Sequence, residues 1–107
     1  MPERFTGEIR IETFAPLVGE MFCASVDDEV SLELELTEAT VIGGENRPDE
    51  AFSLLFKGPS APFLTQRTYE IAHGSLGELP IFLVPVGQTE DGFVYQAIFT
   101  RLKESQP

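Results

Sequence analysis

Val30, Leu32, Leu34 and Leu36 alternate strictly with Ser31, Glu33, Glu35 and Thr37. An alternation of period two sends the leucines to one face of a strand and the glutamates to the other, so it predicts a half-buried strand with its carboxylates in water. A helix would place Leu32 and Leu36 together and leave Leu34 on the opposite side, so the helix propensity of Leu and Glu does not decide the matter. Phe52, Leu54 and Phe56 repeat the alternating pattern and are closed by Gly58-Pro59. Residues 94–102 repeat it again, with Tyr95, Ala97 and Phe99 set against Val94, Gln96 and Ile98. Residues 20–25 predict a strand with Met21 and Cys23 on one face and Phe22 and Ala24 on the other. Residues 68–73 predict another, with Tyr69, Ile71 and His73 together. Ile9 and Ile11 alternate with Arg10 and Glu12 and suggest a short strand. The apolar stretch 14–18 carries Pro16 and reads as a turn, a bend or a single helical turn.

Turn signals separate these segments: Asp27-Asp28, the acidic stretch 43–50 with Gly43, Gly44, Asn46 and Pro48, an irregular crossing at 60–65 with Pro62, the breaks at Gly74 and Gly77, and the polar turn 87–92. Short strands at such spacings predict an all-β fold, a small antiparallel β-sandwich or β-barrel of six to seven strands. One domain is expected over residues 1–107, with an ordered core at 8–102. The expected core residues are Phe22, Leu32, Leu34, Leu36, Phe52, Leu54, Phe56, Ile71, Phe82, Val84, Tyr95, Ala97 and Phe99.

Residues 79–86 break the pattern, because they are apolar on both faces. A strand with one wet face alternates. Either this strand is covered on both sides within the domain, or one side meets a partner. Pro85 cannot donate a ladder hydrogen bond, which favours an edge or a strand end there. With Phe82 and Val84 assigned to the core alongside Tyr95 and Ala97, the candidate interaction surface is Ile81, Leu83, Val94, Gln96 and Ile98.

The 107 residues include nine Phe, two Tyr and no Trp, so Phe is the main core filler. Eighteen acidic and seven basic side chains give a net charge of −11. Duplex nucleic acid and anionic membrane surfaces repel such a chain, which sets aside nucleic-acid and membrane partners. The acidity serves solubility, or else complements a basic partner. The first ten residues have no apolar h-region and no apolar run reaches the length of a membrane span, so cytoplasmic residence is the expectation. The single cysteine, Cys23, excludes an intramolecular disulfide, and its apolar neighbours predict a buried, inert thiol.

Little here resembles catalytic or metal chemistry. His73 is the lone histidine, without a G-x-S-x-G elbow or an H-x-x-x-H pair, and reads as a hydrogen-bonded structural residue. Asp27-Asp28-Glu29 lacks the alternate oxygens of a calcium loop, and Gly43-Gly44 lacks the lysine of a phosphate loop. Glu33 and Glu35 share a face, but on an alternating strand that is simply the wet one. The expectation is a non-enzyme with no cofactor and no metal. If there were proton chemistry outside the carboxylates, His73 with Tyr69 would carry it.

As an ordered set, Phe52-x-Leu54-x-Phe56-x-Gly58-Pro59, Leu64-x-Gln66-x-x-Tyr69, His73-x-x-Leu76-Gly77, Phe82-x-Val84-Pro85 and Tyr95-x-Ala97-x-Phe99 resemble the signature of a small bacterial family of domains of unknown function. Phe14, Gly19, Phe22 and the Leu-Glu-Leu run fit its N-terminal half, so the resemblance spans about residues 14–100. It implies a compact stand-alone domain without catalytic residues, encoded near phage-tail-collar-like proteins, and so a role beside a tail-like or fibre assembly. Two functions are therefore carried forward: a non-enzymatic protein-interaction or assembly module that binds a partner, tail-collar-like proteins included, or itself; and a small β-barrel that binds an apolar ligand.

Overall fold

The computed structural model describes residues 4–7, 9–42 and 49–102, without the side chains of residues 49, 50, 101 and 102. Residues 1–3, 8 and 103–107 lie outside the described residues, as do residues 43–48 of the acidic stretch expected at 43–50. Among the described residues, six strands follow a short helical segment. They are β1 (Met21–Ser25), β2 (Ser31–Ile42), β3 (Asp49–Pro59), β4 (Arg67–His73), β5 (Gly77–Gln88) and β6 (Gly92–Leu102). All pair antiparallel and close into one barrel in the order β1-β2-β3-β6-β5-β4. Two consecutive three-stranded meanders, β1–β2–β3 and β4–β5–β6, are thus joined along two seams. The β3–β6 seam runs from Asp49↔Leu102 to Pro59↔Gly92. The β1–β4 seam holds Cys23↔Ala72, Ala24↔Ile71 and Ser25↔Glu70.

The alternating segments face as their patterns require. Phe22, Leu32, Leu34, Leu36, Phe52, Leu54, Phe56, Ile71, Tyr95 and Ala97 are buried inside, with Leu79, Ile81 and Leu83. Phe22 meets Phe56 edge to face at 5.5 Å between centroids. Phe99 is half-buried and stacks on Phe52 at 5.1 Å.

Three sequence expectations are corrected. Ile9 and Ile11 form no strand; Ile11–Phe14 is one helical turn, α1, continued by a 3-10 turn at Ala15–Leu17 with Pro16. The barrel pairs both edges of β1 and β2 with other strands, leaving no edge there for a further one, and Ile9 and Ile11 instead pack against the core. Cys23 is exposed rather than buried, because Phe22 and Ala24 take the inward positions of β1. On β5 the two faces are exchanged: Ile81 and Leu83 are fully buried, Phe82 is 48% exposed and Val84 is half-buried. The cause is register. The turn after His73 sets His73↔Gly77, hence Ile71↔Leu79 and Tyr69↔Ile81. Directly opposed residues share a face, so the inward Tyr69 and Ile71 draw the odd-numbered residues of β5 inward. Phe82→Ala is therefore expected to cost less than about 1 kcal/mol in urea unfolding, far below the loss for a core phenylalanine.

Both barrel ends are closed by connecting segments. Phe14 of α1 is fully buried where β3 begins and β6 finishes, 5.8 Å from Phe99 and 6.0 Å from Phe52. At the opposite end the β3–β4 crossing inserts Leu64, 1% exposed. Gly58 leaves room for this packing: a Cβ would come 2.7 Å from Leu34 Cδ2 and 3.3 Å from the Tyr95 ring.

Candidate interaction surface

The residues with most chemical potential are engaged in holding the barrel together. The Ser75 N–H donates to His73 Nδ1 at 3.0 Å, so the ring proton lies on Nε2, which donates to Glu20 Oε1 at 2.7 Å. The same ring packs on Phe22 at 4.7 Å. His73 thereby ties the β4–β5 turn to the residue preceding β1. The Tyr69 hydroxyl donates to the Thr65 carbonyl at 2.6 Å, and the Arg67 guanidinium lies 4.6 Å from the centre of its ring. The Leu64 N–H donates to the Tyr95 hydroxyl at 3.0 Å. Leu64 and Tyr69 of the Leu64-x-Gln66-x-x-Tyr69 motif, together with Tyr95, thus pin the crossing over the barrel end.

Tyr95 carries a pH signature. Burial holds its phenol above the ordinary value of 10.0; the hydrogen bond from Leu64 pulls the other way, and the nearby Tyr69 adds to the rise. The folded state then keeps a proton that the unfolded chain releases. This stabilisation is complete below about pH 10 and is lost as pH rises through the native value. At neutral pH Tyr95→Phe is expected to cost about 1–3 kcal/mol, because a buried N–H loses its acceptor. Above pH 10 the wild type should lose stability more steeply than the variant. Denaturant titrations at both pH values measure this, and parallel losses would contradict it.

The outer surface carries the apolar residues that the core does not use. Cross-strand pairs Thr68↔Phe82, Val84↔Gln96, Leu55↔Gln96 and Lys57↔Val94 lay out a continuous outer face over β4, β5, β6 and β3. Of the residues singled out from sequence, Val94 and Gln96 are half-buried on this face and Ile98 is 58% exposed. Ile81 and Leu83 are not part of it, since both point into the barrel. Their places are taken by Phe82 and Val84, with Val86, 50% exposed, beyond them at the β5 irregularity between Pro85 and Gly87. The tight turn after His73 was the signal that could have assigned these faces. Beside this face, and sharing Lys57 with it, an open groove of about 580 Å³ is lined by Met21, Glu33, Glu35, Lys57 and Pro59 among others. Among the described residues no three of His, Cys, Asp and Glu gather in a metal-binding arrangement. Nor is any described helix long and apolar enough to cross a membrane.

The molecule is thus a small, closed, six-stranded antiparallel β-barrel with a side-chain-filled interior and an apolar stripe outside. It belongs to the family described as Domain of unknown function (DUF6916), whose model matches residues 9–99. No match was found among curated proteins, and none among solved structures.

Proposed function

We propose that this domain is a non-enzymatic interaction or assembly module that docks a protein chain on the outer face of the β5–β6 hairpin. The observation that carries the reading is the exposure of Phe82 and Ile98 on adjacent strands, each two residues along from the half-buried cross-strand pair Val84↔Gln96. Exposed apolar side chains that adjoin one another mark contact surfaces more often than scattered ones do. The finer reading, an accessory of a phage-tail-like or fibre assembly, is supported by the family resemblance alone, and it singles out a tail-collar-like protein as the partner to look for.

Ile98→Lys tests the face. At 58% exposure the substitution should leave folding within about 0.5 kcal/mol of wild type. A protein that copurifies with the wild type, or the second copy in a self-associated form, should be lost with the variant. Equal recovery with both proteins would remove the hairpin from the proposal. An apolar ligand inside the barrel is the weaker reading. Six strands enclose less space than the eight that hold one small molecule. Phe14, Phe22, Leu54, Phe56, Ile81 and Tyr95 already pack that space.

A further inference from the structure

Resting on the reading of the β5–β6 face as a docking surface, we infer that its occupant is a basic protein surface with an apolar centre, and not a second copy of this chain. The argument is charge complementarity around the apolar stripe. Its centre is Phe82, Val84 and Ile98. On the β2 flank Glu38 stands directly opposite Leu55, and Glu35 opposite Lys57. On the β4 flank Glu70 stands opposite Pro80. Glu90 and Asp91 close the end at the hairpin turn, both exposed. The two described cations that reach this face are already matched: Lys57 lies 3.6 Å from Asp91, and Arg4 pairs with Glu70 at 2.6 Å and with Glu78 at 3.5 Å. Carboxylates therefore flank the apolar centre on both sides and at the hairpin turn, in a chain of net charge −11.

A second copy docking here would bring two such rims together and two charges of the same sign into contact. Complementary potentials steer association, and opposed like charges suppress it. Nucleic acid and anionic bilayers are repelled for the same reason. A surface that offers aliphatic or aromatic side chains at its centre and lysine or arginine around them meets both requirements. Its association should be fast at low salt and slow as salt screens the rim.

The test uses the intact chain and three synthetic peptides, alternating leucine with lysine, leucine with glutamate, and serine with lysine. Binding is followed by calorimetry and mapped by amide chemical shifts. The leucine–lysine peptide should bind and shift the amides of Phe82, Val84, Gln96 and Ile98, while the other two bind at least about tenfold more weakly. A Phe82→Ser/Ile98→Ser double variant keeps the net charge, and a Glu38→Gln/Glu70→Gln double variant keeps the apolar centre. Each should weaken binding by about tenfold or more. Binding that survives Phe82→Ser/Ile98→Ser, or that maps to Glu33 on β1–β2, would be bare charge attraction and would overturn the inference. Sedimentation that shows a wild-type dimer abolished by Ile98→Ser would overturn it too, yet uphold the docking face. Binding to phosphatidylcholine vesicles that depends on Phe82 would replace the protein partner with a lipid surface and overturn both. If no peptide binds, this inference fails, and the copurification with Ile98→Lys still decides the broader reading.

Discussion

Gly92→Ala is expected to cost about 3 kcal/mol or more, among the largest losses available to a single added methyl group. A Cβ at this position would fall 1.9 Å from the Gly58 carbonyl oxygen, 2.9 Å from the Pro59 carbonyl carbon and 3.0 Å from that of Gly58. All three are backbone atoms, so no rotamer can relieve the clash. Retreat is blocked on the other side as well, because Gly92 is bound to Thr89 across the hairpin turn. Its carbonyl accepts from the Thr89 N–H at 2.7 Å, and its own N–H donates to Thr89 Oγ1 at 3.1 Å. Gly74→Ala is the control: a Cβ there meets nothing within 4 Å, and stability should stay within about 0.5 kcal/mol of wild type. Urea unfolding of the two variants measures the contrast. Similar midpoints would mean that the ends of β3 and β6 are not in this close contact in solution.

Phe14→Ala should cost about 3–5 kcal/mol, as much as truncating a phenylalanine at the middle of a strand, although Phe14 belongs to none. The ring is fully buried and lies within 6.5 Å of the rings of Phe22, Phe52 and Phe99. Its removal opens the barrel end where β3 starts, and the α1 turn is too short to move in and refill the space. Thermal or urea unfolding decides this. A loss below about 1 kcal/mol would place the ring outside the core.

Legibility in the sequence followed the source of each constraint. The faces of β2 were plain, because Leu34 and Glu35 differ so much in their cost of burial that alternation alone orients the strand. β5 offered no such contrast: Ile81 and Phe82 are both apolar, and only pairing across the turn after His73 decides which of them enters the barrel. Phe14 and Leu64 escaped the core prediction because they sit in connecting segments, where no periodicity points inward. Barrel closure was equally silent, since Cys23 pairs with Ala72, far along the chain, and such a pairing leaves no local trace. Of the surface residues, Ile98 was legible as an apolar residue opposite the core face of its own strand. Phe82 was assigned to the wrong side together with the rest of β5.

The two seams of the barrel are unequal, and this bears on how firmly the ring is closed. Each meander is made of strands adjacent in sequence and forms through short loop closures. Contacts of large sequence separation come later and set the pace of folding, because their loop entropy must be spent before pairing repays it. Eleven residue pairs along β3 and β6 commit the halves to one another, whereas three pairs along β1 and β4 complete the ring. The short seam is accordingly expected to be the weaker one, with amides of β1 and β4 exchanging with solvent faster than those of β3 and β6.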